Sequence, residues 1–174
     1  IVIQDDVNAL AVMDASGCFV PLLLPPGADG RRSFDDTIGN KRLKMDLEAA
    51  VVLPDARVLA FGSGSTRARE RIVVVESETG VQVRRAPGLY SRLRKHCETV
   101  GTELNIEGAV IQGHRLRLFQ RGNGARVTGG RSGSLVFDID LARFVRWLAS
   151  RGPVPSVIDV LEIDLGTIKG VPFG

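Results

Sequence analysis

The stretch DLEAAVVLPDARVLAFGSGS at residues 46–65 is written a second time, with small changes, as NIEGAVIQGHRLRLFQRGNG at residues 105–124. Aligning Glu48 with Glu107 superimposes an aliphatic pair and, after one deletion in the turn, a phenylalanine of each copy. Apolar runs of this length, rich in Val, Leu and Phe and separated by a turn, predict two antiparallel strands. This repeated strand pair decides the fold, because tandem copies stack into one continuous core.

A fainter third copy, DVNALAVMDASGCFVPLL, begins at Asp6 and has Asn8 where the other copies carry glutamate. After the two clear copies come further apolar runs, RIVVVE and VQVRR in one, SLVFDID and DVLEIDL in the other. Four antiparallel strands at a period of about forty residues or more are typical of a propeller blade. We therefore predict an all-β fold, a β-propeller with about three to four blades of four antiparallel strands, starting near residues 6, 46 and 105.

Two segments depart from the strand pattern. GLYSRLRKHCETVG at residues 88–101 and DLARFVRWLASRG at residues 140–152 place apolar side chains at helical spacing. We predict two short amphipathic helices inserted in the blade connections.

The predicted domain organisation is a single β-propeller domain over residues 1–174. Three blades do not close a ring, since propellers typically have four to eight. The expectation is therefore a portion of a longer propeller, with a further blade cut off after residue 170. The missing blades would come from the rest of the chain or from a second copy.

Composition limits the function classes. The hydrophobic fraction of 44% and the charged fraction of 25% are those of a soluble globular protein, and no apolar run is long enough for a membrane helix. The net charge is only +3 and the chain has one Trp and one Tyr, which argues against nucleic-acid binding. Neither a membrane nor a nucleic acid is an expected partner. No signal peptide is visible, so the expected location is the cytoplasm.

Several motifs carry a family resemblance: ARERI, NIEGA, LFQRGNG and the terminal IDLGTIKGVPFG. Together they resemble an uncharacterised bacterial β-propeller family related to the phytase-like and SdiA-regulated propellers, over residues from about 5 to 174. The resemblance implies a propeller fold and supplies no assigned reaction. Phytase-like and lactonase propellers use acidic residues near the channel for metal, which implies calcium as a candidate cofactor.

The repeated polar positions are the first candidate site. In a propeller, equivalent positions of the innermost strands converge around the central axis, so a ring of oxygen ligands for a hard cation such as calcium is one interpretation. Converging carboxylates repel one another, so a cation or an arginine partner is expected. Two alternatives stay open: a latch that hydrogen-bonds the neighbouring blade, and a direct catalytic acid or base. The candidate metal ligands are Asp6, Asn8, Asp46, Glu48, Asn105 and Glu107.

The glycine-rich exits GSGSTRARER and QRGNGARVTGGRSG are the second candidate site. Glycine lets backbone N–H groups approach an anion, and arginine clamps phosphate or carboxylate. The candidate anion or substrate ligands are Arg69, Arg71, Arg121 and Arg126. The catalytic residues stay unknown, because no Ser-His-Asp or Cys-His arrangement is visible.

Two functions are consistent with these patterns, and the sequence does not decide whether the protein is an enzyme. The first is a β-propeller that binds a ligand or partner at the mouth of its central channel. The alternative is a calcium-dependent, phytase-like or lactonase-like hydrolase with channel carboxylates as metal ligands.

Overall fold

The computed structural model describes residues 1–13, 16–76, 80–122, 133–164, 166–168 and 171–172. The chain forms two compact units, residues 1–86 and residues 87–174. The described strands are antiparallel and form three sheets of three or four strands, together with one short hairpin. The prediction of a mostly β fold built from antiparallel sheets is confirmed.

The first unit holds two sheets. The first sheet has the order β1-β2-β3 and the second has the order β4-β5-β6-β7, each strand antiparallel to the next. The first copy of the repeat therefore has three strands where four were predicted. The strands are β1 (Val2–Ile3), β2 (Ala9–Met13), β3 (Phe19–Leu23), β4 (Leu47–Val52), β5 (Val58–Gly62), β6 (Arg71–Val75) and β7 (Val81–Arg85).

The second unit begins with helix α1 and contains the third sheet, whose strand order is β8-β9-β10-β11. Helix α2 lies between β10 and β11, and the β12–β13 hairpin follows. Both predicted helices are confirmed, but the predicted placement of α2 is wrong, because α2 joins two adjacent strands of one sheet and not two successive sheets. The bounds are α1 (Pro87–Thr99), β8 (Ile106–Gln112), β9 (Arg115–Gln120), β10 (Ser134–Asp140), α2 (Leu141–Leu148), β11 (Val157–Ile163), β12 (Thr167–Ile168) and β13 (Val171–Pro172).

Strand register confirms the repeat between the second and third sheets. Both contain a bulge near the start of their first strand, where one residue is added to one side of the ladder. In the second sheet the added residue is Glu48, because Leu47 and Ala49 pair with successive residues of β5. In the third sheet Glu107 occupies the same place. The repeated glutamates are therefore bulge residues.

The first sheet has a different register. In each of the three sheets, a backbone hydrogen bond joins the residue before one strand to the residue after the following strand. The carbonyl of Asn8 accepts the Leu24 N–H (3.1 Å), that of Asp46 the Ser63 N–H (2.9 Å) and that of Asn105 the Arg121 N–H (3.0 Å). Asn8 is thus the structural equivalent of Asp46, not of Glu48, and β2 pairs with β3 without a bulge. Against this register, the sequence alignment of the first copy is displaced by two residues before the bulge position and by one residue after it.

Strand alternation gives each sheet two faces, which we name by their residues in the second sheet. Face A carries Ala60 and Val73, and face B carries Phe61 and Ile72. Through the register, the third sheet has Leu118 and Phe137 on its face A and Phe119 and Val136 on its face B. The first sheet has Leu10 and Leu22 on its face B.

The core of the first unit joins face B of the first sheet to face A of the second. Leu10 belongs to one buried cluster with Ala60 and Val73, and Leu22 packs against the same cluster. The other buried members of this cluster are Leu24, Met45, Leu47 and Val75. Face B of the second sheet is also buried, since Phe61 and Ile72 are almost fully inaccessible.

Among the described residues, no helix combines the length and the apolar character needed to cross a membrane.

Candidate functional site

The start of the second sheet holds a buried lysine surrounded by carboxylates. The Lys44 ammonium contacts Asp5, and it lies 2.7 Å from Asp46 Oδ1 and 3.2 Å from Asp6 Oδ1. Burial alone would lower the pKa of Lys44, but hydrogen bonds to Asp46, Asp5 and Asp6 outweigh it and raise the pKa above its usual value. Lys44 is therefore charged, and its charge is compensated by the acids around it.

Asp46 has both carboxylate oxygens engaged. Its Oδ2 accepts hydrogen bonds from Ser63 Oγ at 2.6 Å and from an Arg69 terminal nitrogen at 2.8 Å. Burial raises the pKa of Asp46, whereas the hydrogen bonds from Lys44 and Ser63 lower it, and the net pKa lies below the ordinary value. The backbone φ of Asp46 is +56°, in the left-handed region, which aspartate tolerates better than most residues. Asp46 is a structural anchor with saturated hydrogen bonds.

Three carboxylates of this cluster are close enough together to suggest a metal ion. Oxygen atoms of Asp5, Asp46 and Glu48 lie within 4.8 Å of one another. Calcium needs six to eight oxygen ligands, yet the Lys44 ammonium lies beside these oxygens and donates hydrogen bonds to Asp5 and Asp46. With Lys44 in this position the residues do not fit a calcium ion, because the ammonium supplies the positive charge.

Asn8 joins the two sheets of the first unit. Its Oδ1 accepts the Met45 N–H at 3.3 Å, and its Nδ2 donates to the Pro25 carbonyl at 3.0 Å. Asn8 therefore links the start of β2 to the segment that leads into β4. This contact is of the kind that the latch alternative describes, but Asn8 corresponds to Asp46 and not to the repeated glutamates.

The two candidate ligands of the second unit contact each other. Asn105 Nδ2 donates to Glu107 Oε1 at 2.6 Å, and an Arg121 terminal nitrogen lies 3.5 Å from the same oxygen. Within this unit Glu107 thus has a polar neighbour and a cationic one. Asp6, the remaining candidate, lies in the first unit, where its carboxylate contacts Lys44 and, at 3.8 Å, Lys41.

The four candidate arginines have different surroundings. Arg69 is held by Asp46 and donates to Ser65 Oγ at 2.8 Å, so its guanidinium has a structural role. Arg121 is half-exposed beside Glu107. Arg126 lies outside the described residues. Arg71 is the candidate that lines a cavity.

This cavity, of about 130 Å³, lies in the first unit at the strand-start edge of its two sheets. Burial lowers the pKa of the Arg71 guanidinium, the charge of Arg85 lowers it further, and Glu70 offsets these effects only in part. A positive group in this position gains stability from an added negative charge. The cavity is lined by Asn8, Pro26, Gly27, Ala28, Leu43, Met45, Ala68 and Arg71.

A second, larger cleft of about 290 Å³ lies in the second unit. The exposed Arg143 and Arg146 of α2 line it, together with the loop of residues 152–156. None of the candidate site residues in the described part of the chain lines this cleft.

The third sheet holds a charge cluster that sequence reasoning missed. Asp138 on β10 accepts hydrogen bonds from Arg117 at 2.7 and 2.9 Å and from Arg115 at 2.8 Å. The Arg117 hydrogen bonds are the main cause that lowers the pKa of Asp138 to about 2, against the opposing effect of burial. Asp159 lies across the ladder from Asp138 and 3.5 Å from Arg115. The available signal was alternation, which places Arg115, Arg117 and Asp138 on one face.

Sequence reasoning also missed Asp5, Lys44 and Ser63 in the first unit. The converging carboxylates did predict a positive partner, and Lys44 and Arg69 supply it. Lysine is almost never fully buried unless it is paired, and a sequence does not show which lysine will find partners. The segment KRLKMD at residues 41–46 therefore did not indicate that Lys44, rather than Lys41, would be buried.

A comparison with curated proteins gave no match to this chain. The model of the family of unknown function DUF6929 matches residues 1–174, the whole length of the chain. The chain therefore belongs to the family DUF6929.

Proposed function

We propose that this protein is a ligand-binding β-propeller and that an anionic group of its ligand enters the cavity beside Arg71. The observation that carries the proposal is the position of Arg71: it lines a cavity, is partly buried, and has the like charge of Arg85 nearby. An anion in the cavity would offset the repulsion between the like charges of Arg71 and Arg85.

The propeller part of the proposal is supported by the sheets themselves. Two sheets are four-stranded meanders with the same bulge, and in the first unit face B of one sheet packs on face A of the next. Propeller blades are arranged by the repeated packing of successive antiparallel sheets, and the first unit shows one such contact. The candidate cavity then lies where the strands of the first two blades begin.

Cavity size and lining define the class of ligand. Sites for whole small molecules usually have about 300–1,000 Å³, so about 130 Å³ accommodates one functional group. Leu43 and Met45 provide apolar walls, which strengthen the attraction between Arg71 and an anion by lowering the local dielectric. A carboxylate or phosphate group at one end of a larger ligand is the expected occupant.

Titration with inorganic phosphate, followed by NMR shifts of backbone amides, tests this proposal. We expect shifts at Gly27, Ala28 and Ala68, and a loss of affinity of about tenfold or more in Arg71→Gln, since a charge-assisted hydrogen bond contributes about 1.5–3 kcal/mol. Arg67→Gln is the matched control, because Arg67 is exposed on the turn before Arg71 and does not line the cavity. Equal affinity in Arg71→Gln, or a loss in Arg146→Gln instead, would refute the site.

The second candidate function is the calcium-dependent hydrolase, and the triad of Asp5, Asp46 and Glu48 is the observation that favours it. The position of Lys44 counts against it. Calorimetry separates the two functions: a hydrolase of this kind binds Ca²⁺ in the wild type, loses binding in Glu48→Gln, and then hydrolyses phosphomonoesters or lactones. The proposed binding module shows no heat with Ca²⁺ in either protein.

A further inference from the structure

The first sheet exposes an apolar face. Met13 and Phe19 pair across β2 and β3, and they are 58% and 61% exposed. Val2 and Leu23 lie on the same face and are about half-exposed. Contiguous exposed apolar surface of this kind marks an interaction site. By its register this is face A of the first sheet, opposite to Leu10 and Leu22.

The third sheet exposes the opposite kind of face. Phe119 and Leu161 both pair with Val136, so all three lie on face B, where Phe119 is 38% and Leu161 57% exposed. The equivalent of Phe119 in the second sheet is Phe61, which is buried. The same phenylalanine of the repeat is therefore covered in one sheet and partly open in the other.

The repeat indicates what covers these faces. In the first unit, face B of one sheet packs on face A of the next through the cluster around Leu10 and Ala60. The open face A and the open face B are therefore of the same two kinds as the faces that pack together in the first unit. The molecule thus carries both halves of an interface that its own first unit already forms once.

We propose that face A of the first sheet binds face B of the third sheet of a second copy of this chain. The association is head-to-tail, and because each copy has one face A and one face B, two copies can form two equal interfaces of this kind. The charges on face B do not oppose it, because Arg115 and Arg117 are already paired with Asp138. The residue pairs that form face A of the first sheet are apolar. This proposal does not depend on the anion site.

Sedimentation analysis over a range of protein concentrations tests the association. We expect a dimer for the wild type and a loss of affinity of about thirtyfold or more for Phe19→Asp and for Leu161→Asp, as for a central interface residue. Both side chains are exposed, so the variants should fold, and a thermal melt checks this. Ile38→Asp is the control, because Ile38 is comparably exposed on a turn outside both faces, and it should remain dimeric.

Mixing the two variants distinguishes this arrangement from others. Phe19→Asp retains its face B and Leu161→Asp retains its face A, so an equimolar mixture should form a dimer that neither variant forms alone. A wild type that is monomeric at every concentration overturns the proposal. So does a dimer that Phe19→Asp disrupts and Leu161→Asp leaves intact, which would mean that two copies of face A bind each other.

Discussion

Asp138 shows how a single buried carboxylate is stabilised in this protein. It lies in the middle of β10, is almost fully buried, and has hydrogen bonds from two arginines of the neighbouring strand. Such a carboxylate would be costly without its partners, because removal of one member of a buried pair leaves an uncompensated charge. The arginines are partly exposed, so solvent screens part of their effect.

The lowered pKa of Asp138 predicts a loss of stability in acid. Its pKa is about 2 in the folded state against 3.8 for the ordinary group, so the contribution is complete above about pH 4 and is lost as the pH falls towards 2. We expect at most about 2 kcal/mol of unfolding free energy from this group. Urea unfolding of Asp138→Asn should show a difference from wild type that shrinks between pH 4 and pH 2. For Asp159→Asn, an exposed control, the difference from wild type should not shrink over this pH range.

The conclusion that the acidic cluster is balanced by a lysine depends on Lys44. Replacement by methionine leaves Asp5, Asp6 and Asp46 without their shared cation, and we expect a loss of about 3–5 kcal/mol of unfolding free energy. Lys41→Met is the control, since Lys41 is more exposed and pairs with the exposed Asp36, and it should cost less than about 1 kcal/mol.

The effect of Ca²⁺ on the melting temperature of Lys44→Met is a second test. If the ammonium takes the place of a cation, Ca²⁺ should raise the melting temperature of Lys44→Met and leave that of the wild type unchanged. A wild type stabilised by Ca²⁺ would show instead that the carboxylates bind metal while Lys44 is present.

Among the secondary-structure elements, β5 packs closely against neighbouring backbone at its last residue, Gly62. Gly62 pairs with Leu47 beside the bulge, and an added Cβ would clash with the Arg69 carbonyl oxygen and lie 2.8 Å from that of Met45. The equivalent residue of the third sheet is Gln120, which does carry a side chain. The need for glycine therefore comes from the neighbouring backbone of this unit, not from the repeat.

Gly62→Ala is expected to destabilise the protein by about 2–3 kcal/mol, because backbone atoms cannot move away as a flexible side chain can. Gly152→Ala is the matched control, as the nearest atoms to its added Cβ are 3.8 Å away. Thermal unfolding of both variants measures the difference. Equal melting temperatures would mean that β5 and the turn before β6 have room to separate.

The same elements show what sequence could and could not predict. Alternation and turn residues were sufficient for β4–β7 and β8–β11, whose register matches the alignment of Glu48 with Glu107. Letter patterns reveal neither the strand register nor the missing bulge of the first copy, and the alignment of Asn8 was wrong by two residues. The cavity beside Arg71 is formed by segments distant in sequence, and its shape depends on tertiary packing that no local pattern encodes.

On the scale of the whole molecule, the propeller proposal starts from the one packing that the first unit shows, face B of its first sheet against face A of its second. The proposal extends this packing to the third sheet. The cavity beside Arg71 lies within the first unit and does not depend on this extension.

Electron paramagnetic resonance of two spin labels tests this extension most directly. The labels are attached at Val52→Cys and Gln112→Cys, which are exposed and lie at nearly equivalent ends of β4 and β8. Cys18→Ser removes the exposed natural cysteine, and the remaining natural cysteine, Cys97, is buried. Face-to-face sheets lie about 10 Å apart, so the account predicts strong dipolar broadening of the doubly labelled spectrum. A spectrum equal to the sum of the two singly labelled proteins would contradict it.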